Sequence, residues 1–177
     1  MIRHSQSIGN AFEFLIDYTN TQYSAMGIAI INKRPTPMKI VKQLGARGSF
    51  KQFVCVHDKK STVDYDGVYK GHAVAFEAKT ISKLKRFDLS RIADHQLEYL
   101  IKAQNQGAVS FLLIEFQITD ATYLVPTELI DEYAKAAIHG GVKSIPLTVF
   151  EERAYKIGQG RVGLDYLAQL DKMIGTA

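Results

Sequence analysis

The residues best placed to do chemistry are two carboxylates and a lysine. Asp64 is followed 13 residues later by Glu77-Ala78-Lys79. Two carboxylates held side by side repel each other unless a positive group neutralises them. Oxygen ligands without a soft donor suit Mg²⁺, with Mn²⁺ as a substitute, and the Ala78 backbone carbonyl offers a further oxygen. Lys79 could orient an attacking water or stabilise charge on a scissile phosphate.

The segments that carry these residues have the pattern of a β-hairpin. Residues 62–69 and 72–80 alternate and are rich in aromatic and β-branched residues, and Lys70-Gly71 supplies a two-residue turn. That turn fixes a register in which Asp64 lies opposite Glu77, and opposed residues share one face of the pair. We therefore expect a polar quartet of Thr62, Asp64, Glu77 and Lys79. The alternative is an ordinary salt-bridge cluster on an exposed sheet face.

Basic residues are concentrated just before the first acidic residue. Residues 33–60 contain eight basic residues and one acidic residue, a net charge of +7, whereas the rest of the chain sums to −3. Such a segment is typical of phosphate-backbone binding. The predicted DNA contacts are Lys33, Arg34, Lys39, Lys42, Arg47, Lys51, Lys59 and Lys60, together with Lys83, Lys85 and Arg86 after the second strand. Solvated loops would carry the same charges.

The remaining periodicities predict an α/β sheet flanked by helices, in one domain over residues 1–177. Helices are expected at Ser7–Tyr23, with Glu13 at the edge of its apolar stripe, at 89–106, at 126–138 and at 164–174. Strands are expected at 27–32, at 109–116 as a central strand covered on both faces, and at 122–125. Residues 38–60 fit neither period and are expected to be a basic arm.

Composition excludes several classes of protein. No apolar run is long enough to cross a bilayer, and the N-terminus lacks the apolar block of a signal peptide. The single cysteine, Cys55, can form no internal disulfide and lacks partners for a structural zinc site. A cytoplasmic protein without a membrane anchor is expected.

Longer motifs around the acidic pair resemble a known family. Asp64 and Glu77-Ala78-Lys79 match the bare pattern of PD-(D/E)xK nucleases. With residues 61–71, His95-Gln96, Thr19-Asn20 and residues 33–37, the sequence looks like the RecU family of Holliday junction resolvases. The resemblance runs from about residue 9 to residue 125.

The resemblance implies a fold, an activity and a set of site residues. The fold would be restriction-endonuclease-like, with a mixed central sheet and a basic stalk, residues 35–60, inserted between the first two strands. The protein would be a Mg²⁺-dependent homodimer that places paired nicks across four-way DNA junctions. Asp64, Glu77 and Lys79 would be catalytic, Glu13 would complete a metal site with Asp64, Glu77 and Ala78, and Gln96 would lie beside the active site.

Some features depart from the family pattern, and other functions stay open. Val63 replaces the proline that precedes the acidic residue in the superfamily, and the basic N-terminal extension is nearly absent, as in a short phage-borne member. His95 is a general-base candidate, although a lone histidine on a helix is more often a surface residue. The rival functions are a non-catalytic DNA-binding module on the same fold and a restriction or repair nuclease with another DNA target.

Overall fold

A six-stranded mixed sheet organises the chain. The computed structural model describes residues 2–47, 50–58 and 62–175. The strands of this sheet, in spatial order, are β1 (Ala29–Lys33), β4 (Tyr65–Tyr69), β5 (His72–Ile81), β7 (Val109–Phe116), β8 (Ala121–Pro126) and β10 (Tyr155–Ile157). Within the described part of the chain, β5 and β7 are the one pair of neighbours in this sheet that run parallel. The predicted α/β class is confirmed.

Helices cover both faces of this sheet. They are α1 (Ile2–Ala25), α2 (Asp94–Asn105), α3 (Thr127–Ile138), α4 (Leu147–Arg153) and α5 (Tyr166–Met173). The central strand β7 is buried on both sides, as its apolar sequence predicted. Phe111 and Leu113 point into the core built with α1 and α5, whereas Leu112 and Ile114 point into the core built with α2, α3 and α4.

The basic arm is a separate two-stranded hairpin. It consists of β2 (Met38–Arg47) and β3 (Phe50–His57), which pair antiparallel and form no ladder with the main sheet among the described residues. In the chain it lies between β1 and β4, the position expected for an inserted stalk. Its base is closed by the Asp58 N–H, which donates to the Pro37 carbonyl at 3.0 Å.

Several element boundaries differ from the sequence expectations. The first helix already begins at Ile2, so Ser7 lies inside it and is not its N-cap. The helix expected from residue 89 begins only at Asp94, because Leu89–Arg91 form a 3-10 turn and both Ile92 and Ala93 are extended. The short strands β6 (Arg86–Asp88), β9 (Ser144–Pro146) and β10, and the helix α4, were not predicted. No helix within the described ranges is long and apolar enough to cross a membrane.

Candidate active site

The hairpin that carries the acidic residues has the predicted turn and register. Tyr69 pairs with His72, and Tyr65 pairs with Phe76. Lys70 and Gly71 form the turn and both have positive φ, 47° and 81°. Tyr65, Phe76 and Phe111 stack across three neighbouring strands, with ring centroids 4.8 Å and 4.9 Å apart. This aromatic ladder holds β4, β5 and β7 together at the level where the acidic residues begin.

The backbone hydrogen-bond ladder between β4 and β5 ends at Tyr65. Beyond it, the carboxylates of Asp64 and Glu77 accept hydrogen bonds from backbone N–H groups. The Ala78 N–H donates to Asp64 Oδ2 at 3.0 Å, and the Asp64 N–H donates to Glu77 Oε2 at 3.1 Å. Each carboxylate therefore satisfies a backbone donor on the other strand. The predicted proximity of Asp64 and Glu77 is confirmed. The expected continuation of the ladder to Thr62 and Lys79 is wrong, because the pairing stops before Thr62.

Lys79 and Gln96 complete a hydrogen-bonded cluster around Glu77. The Lys79 ammonium donates to Glu77 Oε1 at 2.7 Å, and the Gln96 side-chain amide donates to the same oxygen. Gln96 Oε1 in turn accepts from the Ala93 N–H at 3.0 Å and from Lys79 at 3.4 Å. Gln96 therefore closes the first turn of α2 and reaches the strand residues with the same side chain. The structure brings together Asp64, Glu77, Lys79 and Gln96.

Glu77 is the most strongly perturbed carboxylate of the cluster. Only 1% of its surface is exposed. Burial raises the pKa of Glu77 to about 7; the positive charge of Lys79 opposes this shift, and the negative charge of Asp64 adds to it. A buried carboxylate with a raised pKa beside a second carboxylate is a functional-site candidate.

The donor set suits a divalent cation that retains water and phosphate ligands. Within residues 2–47, 50–58 and 62–175, no group of three or more His, Cys, Asp or Glu side chains could hold a metal ion. One or two carboxylates are nevertheless the usual protein contribution to Mg²⁺ sites completed by water and substrate phosphate. Asp64 and Glu77 supply two carboxylates, and burial, the largest cause of the raised pKa of Glu77, disfavours its charged form, which a bound cation would favour.

Glu13 makes contacts of a different kind. Its carboxylate accepts from Lys33 at 2.7 Å, and Lys33 also lies 3.5 Å from Asp17. Its backbone carbonyl accepts from the Tyr65 hydroxyl at 3.2 Å, and the same hydroxyl donates to Asp17 Oδ1 at 2.8 Å. The first helix is thus tied to the strand next to Asp64. A metal-ligand role for Glu13 stays a prediction, as does that of the Ala78 carbonyl.

Sequence reasoning missed a link between the base of the arm and α2. The Arg34 N–H donates to the Asp64 carbonyl at 2.7 Å. The Arg34 guanidinium donates to the Tyr99 hydroxyl at 3.0 Å and lies 3.4 Å from Asp66. Tyr99 follows Gln96 by three residues, so the two share a helix face, and that spacing was the available signal. Arg34 thereby joins Asp64, which directly precedes β4, to the helix that carries Gln96.

The predicted DNA contacts are spread over several elements. Lys39, Lys42 and Lys51 are exposed on the β2–β3 hairpin, and Lys83 and Lys85 are exposed after β5. Arg86 pairs with Asp88 at 2.9 Å. Lys59, Lys60 and the side chain of Arg47 lie outside what the structure describes. His95 flanks Gln96 on a surface cavity of about 890 Å³ between α2 and α3, so its position adds nothing specific to the general-base hypothesis.

Comparison with known proteins identifies the family. The sequence model described as "Recombination protein U" matches residues 7–172. A protein of Lactococcus lactis named "Holliday junction resolvase RecU" is 38% identical over 168 residues, which cover 93% of this chain and 78% of that protein. A protein of the same name from Streptococcus sanguinis is 35% identical over 170 residues, covering 94% and 84%.

A solved structure was also matched. It is that of Hjc from Archaeoglobus fulgidus, described as a Holliday junction resolvase, with a TM-score of 0.49, 11% identity, and coverage of 81% of this chain and 94% of that one. The described fold is a mixed sheet flanked by helices, and Asp64 and Glu77 lie side by side where β4 and β5 stop pairing. The chain belongs to the RecU family, as the family match over residues 7–172 shows.

Proposed function

We propose that this chain is a structure-specific endonuclease that resolves four-way DNA junctions by paired, metal-dependent phosphodiester hydrolysis. The observation that carries the proposal is the cluster of Asp64, Glu77, Lys79 and Gln96 at the end of one strand pair, within a chain of the RecU family. The relatives named as Holliday junction resolvases support junction DNA as the substrate.

Each residue has a distinct task in the proposed reaction. Asp64 and Glu77 would hold Mg²⁺, or Mn²⁺ in its place, and the bound ion would supply a Lewis acid that lowers the pKa of a water ligand. Lys79 presents its ammonium beside the carboxylates, where it can orient the attacking water or stabilise charge on the scissile phosphate. Gln96 holds the side chains of Lys79 and Glu77 in position, because it forms hydrogen bonds with both of them and with the first turn of α2.

We further propose that the active form is a homodimer. Two equivalent cuts across a junction need two equivalent sites, and a two-fold axis supplies them. Phe14 and Tyr18 on the outer side of α1 are 73% and 56% exposed, so the chain offers apolar surface for a partner. Analytical ultracentrifugation of the full chain would test this, and a monomer at micromolar concentration that still cuts both strands would contradict it.

A cleavage assay with conservative substitutions tests the catalytic proposal. Asp64→Asn and Glu77→Gln keep an acceptor oxygen for the backbone donors but remove the charge, so they should abolish Mg²⁺-dependent cleavage of a synthetic four-way junction while junction binding persists. Asp120→Asn, in the turn between β7 and β8, is the matched control and should cleave normally. Full activity in either site variant would refute the assignment.

A competition experiment and a cleavage assay separate the rival functions. A resolvase should prefer the four-way junction when excess linear duplex of the same sequence competes, whereas a restriction or repair nuclease should not. A non-catalytic binding module would bind the junction and leave it uncut with Mg²⁺ or Mn²⁺ at any enzyme concentration.

A further inference from the structure

The β2–β3 hairpin has two faces of different chemistry, and its register decides which residues lie on each. Lys39 pairs with Val56, and Lys42 pairs with Val54. Directly opposed residues share a face, and Val54 and Val56, two residues apart on an unbroken strand, share one as well. Lys39 and Lys42 therefore lie on the same face, which we call the lysine face.

A β-bulge is responsible for this alignment. Residues three apart on a regular strand point to opposite sides, so Lys39 and Lys42 would be separated without an irregularity. The register shifts between Ile40 and Lys42, where Val41 is the extra residue, and shifts again between Gln43 and Gly45. Bulges re-aim side chains, and this one turns two cations towards one side.

The opposite face has a different composition. Ile40 pairs with Cys55 and Gln43 pairs with Phe53, and neither pair carries a charge. Ile40 and Phe53 are 57% and 41% exposed. Lys51, which pairs with Ala46, shares this opposite face because it lies two residues from Phe53. The three exposed lysines of the hairpin are thus divided, two on one face and one on the other.

The charges on the lysine face are not compensated. Both Lys39 and Lys42 are exposed, and neither pairs with a carboxylate of the described chain, whereas Lys33 at the base of the arm pairs with Glu13. The stems of the two lysines lie beside Val54 and Val56, which can hold them extended with their ammonium groups in solvent. Two such cations about 7 Å apart along a strand suit neighbouring backbone phosphates.

We propose that the hairpin binds DNA phosphates through the lysine face alone, while the face that carries Ile40, Phe53 and Lys51 does not contact the DNA. The inference rests on the proposed function, because it takes junction DNA as the ligand. It goes further by giving the arm an orientation and by separating Lys39 and Lys42 from Lys51.

The experiment measures binding of a labelled synthetic four-way junction in EDTA over a range of salt concentrations. Lys39→Gln with Lys42→Gln should lower the slope of log affinity against log salt by about 1.8 for each protomer that contacts the junction, and each such loss corresponds to roughly 60-fold weaker binding at 0.1 M salt. Lys51→Gln is the matched single control and should stay within about twofold of the wild type.

A variant with the two charges moved to the opposite face tests whether DNA binding depends on the lysine face or only on the net charge of the hairpin. Adding Ile40→Lys and Gln43→Lys to the double glutamine variant restores the wild-type charge on the opposite face, and binding should stay as weak as in the double variant. Recovery of wild-type affinity and slope would overturn the proposal, as would a Lys51→Gln defect equal to that of the double variant.

Two further measurements keep the outcomes distinct. If the four-substitution variant does not fold by circular dichroism, Ile40→Lys with Gln43→Lys in the wild-type background should leave the salt slope unchanged, and an increase of about 1.8 would refute the one-faced interaction. Junction cleavage by the wild type in Mg²⁺ tests the proposed function separately. Cleavage with no effect of Lys39 and Lys42 would retain the function and reject this inference.

Discussion

Replacing Glu77 by glutamine should make the protein more resistant to unfolding at alkaline pH while removing its activity. Glu77 is 1% exposed, and burial raises its pKa from the ordinary 4.5 to about 7. A carboxyl whose pKa is higher in the folded than in the unfolded chain favours folding when protonated, and this contribution is lost as the pH rises through the folded pKa. Glutamine cannot ionise, so the Glu77→Gln variant does not lose it.

The size of this stability difference follows from the shift in the pKa of Glu77. A change from 4.5 to about 7 corresponds to about 3.4 kcal/mol between the two protonation states. In the unfolded chain this carboxyl is already largely ionised at pH 5, so part of the contribution is lost below that pH. About 2.5 kcal/mol of stability is lost between pH 5 and pH 8. The ion pair with Lys79 forms only when Glu77 is ionised, and its effect is already included in the folded pKa, so it adds nothing further to this difference.

Urea unfolding in EDTA at pH 5 and pH 8 measures this difference directly. The free energy of unfolding of the wild type should fall by about 2.5 kcal/mol more than that of Glu77→Gln over this range. Glu98→Gln is the control, because Lys102 holds the pKa of the exposed Glu98 below its ordinary value and Glu98 is ionised throughout. Parallel pH dependences of wild type and Glu77→Gln would refute the argument that burial perturbs Glu77.

Three other substitutions test the contacts that build the site. Asp64→Ala should destabilise the fold by about 1–3 kcal/mol more than Asp64→Asn in urea unfolding, because alanine leaves the Ala78 N–H without an acceptor. Gln96→Ala should cost about 1 kcal/mol of stability through the uncapped Ala93 N–H and should lower the single-turnover cleavage rate with junction affinity unchanged; an unchanged rate would exclude a positioning role. Gly67→Ala should destabilise by about 3 kcal/mol or more, since its Cβ would lie 2.0 Å from the Ile30 carbonyl oxygen, whereas Gly158→Ala meets no atom within 4 Å and should unfold at nearly the wild-type urea concentration.

The acidic hairpin could be predicted because its turn constrains it. Lys70-Gly71 fixes the pairing of Tyr69 with His72, and the alternation of the two strands then determines which side chains share a face. The end of the ladder could not be predicted in this way, because at Asp64 side-chain carboxylates replace backbone carbonyls as acceptors. Residue periodicity predicts regular strand pairing, but it does not predict where a side-chain carboxylate replaces a backbone carbonyl as the acceptor.

The helix that carries Gln96 shows a similar limit. Apolar residues from Leu89 onward recur at helical spacing, so the sequence predicted an earlier start. The chain remains extended at Ile92 and Ala93, and Gln96 closes the first turn from inside the helix. The late start places the Gln96 side chain at the beginning of α2, from which it reaches Glu77. Elements of three residues, such as β6 and β9, are too short for any period to identify.

The arm resisted sequence prediction for a reason that bears on its role. Apolar residues at positions 38, 40, 41 and 44 match neither the period of a strand nor that of a helix. Once Val41 and Leu44 are recognised as the extra residues of two bulges, the alternation is regular on both sides of each bulge, with Lys39 and Lys42 on one face. A regular strand would have been easier to predict, but it would have divided these two lysines between opposite faces. Local departures from simple patterns are expected where a segment is shaped for binding rather than for packing alone.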